Sequence, residues 1–323
     1  MGPDLIYSTL HLVLRTFAEL SKQGKYSKIG PCVNFHRCLY MGQMDVTICP
    51  MLFANLSMRI LMVSKACLVG AYQTKLEEIA SFADVELAVV VPPVWLDPAG
   101  PIPLERSHTE GYSLFVDPMR FNGQFHLHYY PRLKERLRQF RPHVLHMDEE
   151  PYNLATWLAV RQARAQGVKT LFFSWQNIDR RYPFPFSWME RQVLKSVDYA
   201  IVGNKAAREV WQRKGFNGPL SIIPQFGVDP DIYHPPQQRD RGRVFNIGCT
   251  GRRLVPEKGV DILLHAAAKL PGMWRLQIAG DGPERRNLEA LAEQLGIADR
   301  VHFDGTIPSA QMPAYLRQLD ALV

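Results

Sequence analysis

Val244–Leu270 reads VFNIGCTGRRLVPEKGVDILLHAAAKL. Its first eight residues have the apolar run and glycine-bearing end of a buried strand, and GVDILLHAAAKL continues as an amphipathic helix. Between them, Gly251–Gly259 holds two arginines, a glutamate, a lysine and two glycines. A loop that leaves a strand and opens a helix points backbone N–H groups outward, and the helix dipole there favours an anion. In open α/β sheets it is also where ligands sit. Arg252 or Arg253 could offer a planar fork to phosphate oxygens and Lys258 a compact charge, which together would clamp a diphosphate. The alternative is a solvated loop in which Glu257 neutralises Lys258. Taken alone, the segment leaves both readings open.

The next strand–helix junction tips the balance towards a ligand. WRLQIAG is a strand, and AGDGPERRNL follows with Gly280, Asp281, Gly282 and Pro283. The glycines permit a tight turn and close approach of a ligand, and Pro283 suits the first turn of a helix. One GDGP loop is a weak signal, but a basic junction followed by a GDGP junction in one sheet is seldom coincidence.

The same alternation runs through most of the chain. MRILMVS, VELAVVVPP, YSLFV, HVLHM, KTLFFSW, YAIVG and LSIIP read as strands, separated by helical stretches such as PRLKERLRQF, NLATWLAVRQARAQG, FSWMERQVLKS and KAAREVWQRKG. Strand and helix alternating over short connections signal a parallel sheet covered on both faces. GVDPDIYHPPQQRDRGR breaks the rhythm and reads as a linker. These signals divide the chain into 58–226, a linker at 227–243, and 244–323. Residues 1–57 lack clear periodicity; they are either a small extra domain or an upstream extension before a true start at Met58, and the second is expected. The chain ends on DALV, another strand-like run, and about 80 residues is small for an open sheet, so the last domain is expected to be incomplete.

Composition narrows the classes. The 323 residues are 46% hydrophobic and 21% charged, as in an ordinary soluble protein long enough for two domains. The formal net charge of +7 suits a phosphate-bearing partner or an anionic membrane surface. No nucleic-acid-binding module is visible, and nucleic acid is not expected as a partner. The five cysteines, Cys32, Cys38, Cys49, Cys67 and Cys249, have no paired spacing, which argues for a reducing compartment. The most apolar window, ICPMLFANLSMRILMV, is broken by Asn55 and Arg59, short of the roughly 18 uninterrupted apolar residues of a spanning helix. A signal peptide would put its basic end first, whereas the chain opens MGPDLIYSTL. A cytoplasmic protein is expected, in contact with a membrane only peripherally.

In the first half, HVLHMDEEPYN ends a strand and leads into a helix with His146, Asp148, Glu149 and Glu150. Asp148 or Glu149 could steady a developing positive charge or bind a ligand hydroxyl. They could equally cap the helix that follows. Gln176 and Asn177 in FFSWQNI end another strand and could bind hydroxyls; Gly70 marks a loop-to-helix turn. His126 and His128 in FHLHYYP alternate as if on one strand face, but two histidines without a third ligand make no metal site. RRYPFPFSWMERQ could touch a membrane interface or be a packed loop.

GRRLVPEKGVDILLHAA, the stretch from WRLQIAGDGPERRNL to DALV, and IIPQFGVDPDIYHP resemble the donor-side half of a retaining glycosyltransferase of the GT-B fold, family 4. The resemblance runs from about Met58 to Val323. It implies an α/β protein of two Rossmann-like parallel-sheet domains facing a cleft, the second incomplete. It further implies a hexosyltransferase-type enzyme that takes a nucleotide-sugar donor and a glycan, lipid or small-molecule acceptor, with no metal or cofactor. By this resemblance Lys258 and Arg253, or Arg252, bind the donor diphosphate; the five-residue spacing favours Arg253. Gly280, Asp281 and Gly282 form the loop beside the nucleotide, and HFDGTI, ending at Ile307, forms the wall around the base. Gly70 takes the place of a glycine near the reaction centre. Related enzymes often carry His-Glu-Pro where Asp148 or Glu149 falls here, so no histidine role carries over. The family's E-x7-E segment would follow DALV and is absent. A non-catalytic fragment lacking half of the donor pocket, or a sugar-nucleotide epimerase of the same fold, are the alternatives. A nicotinamide-dependent dehydrogenase would show G-x-G-x-x-G after its first strand, where KACLVGAYQ has one glycine.

Overall fold

The computed structural model of the chain describes residues 57–98, 100–236 and 244–323. The expectations for residues 1–56 and for 237–243 of the linker lie outside the described residues, as does the side chain of Arg252. Two compact units are present: one of Pro101–Phe226 with the residues up to Asp97, the other of Gly227–Val323 with Pro98–Gly100.

The first unit begins with β1 (Met58–Val63), followed by two single 3-10 turns, Ala66–Leu68 and Gly70–Tyr72, and by α1 (Thr74–Ala80). After β2 (Val85–Val91), a ribbon of β3 (Val94–Asp97) and β4 (Gly100–Pro103) precedes β5 (Ser113–Val116). The alternation then runs α2 (Leu133–Phe140), β6 (Val144–Met147), α3 (Leu154–Arg164), β7 (Lys169–Ser174), α4 (Phe186–Ser196), β8 (Tyr199–Val202), α5 (Lys205–Arg213) and β9 (Leu220–Ile222). Seven strands form one sheet in the order β5-β2-β1-β6-β7-β8-β9, and every pairing described in it is parallel.

The period of two in the strands divides the core. Leu61, Val63, Ala88, Val90, Leu145, Met147, Phe172, Ala200 and Val202 face a cluster that includes Leu137, Ala159, Val193 and Trp211 from α2, α3, α4 and α5. The alternate residues Ile60, Met62, Leu87, Val89 and Val91 meet Leu76 of α1 on the other face. Chain direction across the sheet reverses between β1 and β6, so the loops after these two strands flank a topological switch point.

The second unit holds β10 (Phe245–Arg253), α6 (Val260–Ala267), β11 (Trp274–Asp281), α7 (Arg285–Gln294), β12 (Val301–Gly305), α8 (Met312–Arg317) and β13 (Ala321–Leu322). Its parallel sheet has the order β12-β11-β10-β13. Leu276 and Ile278 of β11 bury against Leu264 of α6 and Leu288 and Ala292 of α7. The direction reverses at β10, because β13 pairs with Ile247 and Gly248 on the side away from β11.

Two sequence expectations fail in the first unit. His126 and His128 are not on a strand: residues 121–127 form turns, with Gln124 O accepting from the backbone N–H of Leu127 and His128. The left-handed backbone at Phe121 (φ 52°) and Gly123 (φ 88°) coils the segment and overrides its alternating polarity. The β3–β4 ribbon was not expected, because VPPVWLDPAGPIP is too rich in proline to read as paired strands.

Phe172 is fully buried with its ring edge-on to Trp211 at 5.7 Å and Phe216 at 5.9 Å. Phe172→Ala should lower the stability of the first unit by about 3–5 kcal/mol, whereas truncating the exposed Ile262 should change stability by less than about 0.5 kcal/mol. Urea unfolding followed by tryptophan fluorescence measures both.

Candidate functional site

At the switch point of the first unit, the β6 strand ends in three carboxylates, Asp148 and Glu149 buried and Glu150 half-buried, each committed to a different set of partners. Asp148 accepts hydrogen bonds from Ser64 Oγ (2.6 Å), Lys75 Nζ (2.8 Å) and Gln225 Nε2 (2.8 Å). Its backbone N–H extends the β1–β6 ladder to Val63 O. Glu149 is ion-paired with Lys65, accepts from Tyr130 Oη and Asn153 Nδ2 at 3.4 Å each, and lies 3.4 Å from His128 Nε2. Glu150 takes Ser174 Oγ at 2.6 Å and the backbone N–H of Trp175 at 3.0 Å.

Burial and charge set three different proton affinities. Burial alone would raise Asp148, but Lys75 outweighs it and holds the carboxyl below its usual range. Glu149 is likewise pulled against its burial by Lys65, to about 2. Glu150 has no such cation in contact: burial dominates, its two hydrogen bonds oppose only partly, and its pKa rises to about 7. His146, one turn of the pleat earlier, is pushed down to about 4 by burial and is uncharged at neutral pH; its buried Nε2 has no hydrogen-bond partner in the structure.

This arrangement revises the roles read from HVLHMDEEPYN. The side chains of Asp148 and Glu149 are 1% and 0% exposed, so as placed they reach no substrate; they hold Lys75 and Lys65 in place. Neither caps the following helix: the residue before α3 is Asn153, and Glu150 contributes its backbone carbonyl to Asn153 N–H and Thr156 Oγ1. Of the residues that complete the cluster, His128 was noted in the sequence but given no role here, and Ser64, Lys65, Lys75, Ser174 and Gln225 were not singled out. The signal available was the position of Ser64, Lys65, Ser174 and Gln225 at or just past strand ends; Lys75, on α1, has none.

The remaining first-unit residues are placed individually. Gly70 is buried, and its N–H donates to Glu105 Oε2 at 2.6 Å. Gln176 turns back on Ile178 O through Nε2 (3.0 Å), leaving its buried Oε1 without a partner in the structure. Asn177 is exposed.

In the second unit, the carboxyl ends of β10 and β11 cross closely. Gly280 has φ +146°, and a Cβ there would stand 1.7 Å from Gly251 O. A Cβ on Gly282 would stand 2.6 Å from Leu254 O. Only glycine fits either position, so the GDGP turn lies directly on the GRRL segment, tied by Leu254 N–H to Asp281 O (2.9 Å). Above this crossing, the stem of Lys258 runs 3.9 Å from where a Cβ of Gly251 would be, and its ammonium is exposed. Neither Lys258 nor Arg253 forms an ion pair among the described residues, so Glu257 does not neutralise Lys258. Arg253 Nε is buried without a hydrogen-bond partner. Asp281 accepts from Gly282 N–H at 2.7 Å and lies 3.7 Å from Arg285 Nη1. Ile307 packs against the cluster of Ala279, Tyr315 and Leu319. The structure thus brings Arg253, Lys258, Gly280, Asp281 and Gly282 to one strand-end cluster, with Ile307 in the neighbouring apolar patch. Among the described residues no group of three or more His, Cys, Asp or Glu side chains could hold a metal ion, and no helix is long and apolar enough to cross a membrane.

Two family models match the chain in succession. The one described as Glycosyltransferase Family 4 covers residues 83–232, and the one described as Glycosyl transferases group 1 covers residues 245–323. D-inositol 3-phosphate glycosyltransferase of Mycobacterium tuberculosis is 35% identical over 127 residues, 35% of this chain and 26% of that protein. The match therefore spans about a quarter of the length of these curated relatives. Among solved structures, Anabaena HepE in complex with UDP has a TM-score of 0.59 at 16% identity, over 82% of this chain and 73% of that one. Sucrose-phosphate synthase of Thermosynechococcus elongatus has a TM-score of 0.56 at 16% identity, over 82% and 74%. At such identities the likeness is one of fold. The chain belongs to the group 1 glycosyltransferases of the GT-B fold.

Two predictions follow from the geometry. Glu150 holds its proton more tightly in the folded than in the unfolded chain, so the stability it contributes is full below about pH 4.5 and is lost as pH rises through about 7. Glu149 contributes in the opposite sense, losing stability as pH falls from about 4.5 towards about 2. In thermal denaturation from pH 5 to pH 8, Glu150→Gln should gain on the parent as pH rises; a difference that stays constant would contradict the assignment. Gly280→Ala should cost the second unit about 2 kcal/mol or more, because both the steric clash and the positive φ oppose it; denaturant unfolding measures the loss.

Proposed function

We propose that this chain, as a group 1 glycosyltransferase, moves a sugar from a nucleotide-sugar donor to a glycan, lipid or small-molecule acceptor with retention of anomeric configuration. The observation that carries the proposal is Arg253: a buried guanidinium nitrogen without a partner, at the carboxyl end of β10 and at the switch point of its sheet. An unsatisfied buried donor costs about 1–3 kcal/mol, so such a group marks a place where something else is meant to bind. Lys258, exposed and free of ion pairs among the described residues, supplies the second charge, and the two would hold the donor diphosphate. Gly280 and Gly282 keep the neighbouring backbone bare of side chains, which suits close approach of a nucleotide. That HepE was solved with UDP and with UDP-glucose supports a nucleotide-sugar as the ligand of this fold.

On this reading the bond between the anomeric carbon and the diphosphate oxygen breaks, and the acceptor oxygen bonds to the same face of that carbon. The departing phosphate oxygen takes the acceptor's proton, so charge and protons balance without a protein acid–base pair. Arg253 and Lys258 stabilise the charge that grows on the leaving diphosphate. Within the first unit, Gln176, whose Oε1 is free, is proposed to bind a hydroxyl, with Asn177 exposed beside it. Asp148 and Glu149 act at one remove, by fixing Lys75 and Lys65. No metal or cofactor takes part in the proposed reaction, which is assigned to the cytoplasm.

Calorimetric titration of UDP, GDP and ADP into the chain tests the donor site. One of them should bind, Lys258→Ala should weaken it about tenfold or more, and Arg253→Lys should weaken it because the planar fork is lost. No binding of any nucleoside diphosphate at millimolar concentration would sink the proposal. With a donor and acceptor in hand, the anomeric proton coupling of the product reads retention directly.

A further inference from the structure

The first unit carries an apolar and basic face that the donor chemistry does not use. It is built from two loops, residues 120–129 and 178–186, which are joined through His126. The His126 ring lies 5.7 Å from Phe125 on its own loop, and 5.5 Å from Tyr182 and 5.1 Å from Phe186 on the other. From this joined base the side chains of Phe121, Phe125, Ile178 and Phe184 project into solvent, at 55%, 49%, 58% and 80% exposure. Apolar side chains of this size are not left uncovered in such a group without reason.

The face is held firm. Lys214, itself paired with Glu190 at 2.8 Å, donates to Arg180 O at 2.7 Å and so pins the second loop from below. Arg120 is fixed by its backbone bridge to Tyr129. The loops therefore present their apolar tips in place.

Its unpaired charge is of one sign. Arg120, Arg180 and Arg181 are exposed and form no ion pair among the described residues, and Asp179 is turned towards Arg213 at 3.7 Å. A second copy of the same face would bring arginine against arginine across a twofold axis. An anionic partner with an apolar interior satisfies both halves of the pattern. We propose that this face seats the protein on an anionic phospholipid bilayer, with Phe184 and Ile178 entering the headgroup–acyl boundary and the three arginines meeting lipid phosphates. Large apolar side chains among arginines are the composition of interfacial membrane anchors, and each basic residue near an anionic surface adds measurably to binding. The net charge of +7 acts in the same direction. The inference does not rest on the donor site, and the two fail separately.

Co-sedimentation of the full chain with vesicles of phosphatidylglycerol and phosphatidylcholine tests it. Binding is expected to the mixed anionic vesicles, to fall steeply by 0.5 M salt, and to be absent with pure phosphatidylcholine. Arg180→Ala with Arg181→Ala should weaken it on the order of twentyfold, at roughly fivefold per charge. Phe184→Ser should weaken it with an unchanged melting temperature, and nucleotide titration should be unaffected in either variant. Should a variant fail to fold, quenching of the parent's tryptophan emission by brominated anionic lipid still reports contact. Equal binding to both vesicle types, no binding to either, or a dimer in light scattering that Phe184→Ser dissolves would each overturn the proposal.

Discussion

Three adjacent carboxylates at the end of β6, two buried and one half-buried, are the constraint around which the first unit closes. A carboxylate taken out of water must be paired, hydrogen-bonded or protonated, and this chain uses all three answers in sequence. Asp148 gathers Ser64, Lys75 and Gln225; Glu149 gathers Lys65, Tyr130 and Asn153; Glu150 gathers Ser174 and keeps its proton up to about pH 7. Those partners come from the loop after β1, from α1, from the segment before α2, from the end of β7 and from the residue before the unit ends. Loops that would otherwise be independent are therefore tied to one another at the switch point of the sheet. Removing one partner would leave a buried charge uncompensated, so the cluster has the character of a keystone rather than of a reagent.

The second unit is organised by contact rather than by charge. Two backbones cross where Gly280 lies on Gly251, and the distances leave no room for a side chain. That crossing places a basic loop and a glycine loop side by side at the carboxyl end of β10. Charge in the second unit is then free to act outward: Lys258 and Arg253 are not consumed by internal pairs among the described residues. The contrast with Lys65 and Lys75 is instructive. All four are cations at strand-end loops or the first helix after one, but two are structural and two are available, and the difference is whether a buried carboxylate stands opposite.

The continuous apolar runs of β1 and β2, buried on both faces, and the regular alternation of strand and helix were legible in the residues, because local pattern and tertiary environment agree there. FSWMERQVLKS forms α4 at its expected ends, and GRRLVPEKG and AGDGP lie at the strand ends to which their composition assigned them. The reading failed where a local pattern was outvoted. FHLHYYP alternates like a strand, but left-handed backbone at Phe121 and Gly123 coils it into turns, and His128 is drawn to Glu149. VWLDPAGPIP carries no strand reading in the sequence and holds a two-stranded ribbon.

By itself, then, the sequence determined the α/β class, the glycine and cationic loops at the ends of β10 and β11, and the carboxylates at the end of β6. These follow from hydrophobic period and turn chemistry, which act over a few residues. Only the tertiary structure decided which of those charges are spent. Lys75 meets Asp148 across 73 residues of chain and Gln225 meets it across 77, and no local pattern encodes such a meeting. Whether a carboxylate faces a substrate or a lysine is settled by what the fold packs opposite it, because the cost of burying charge is met between elements and not within them.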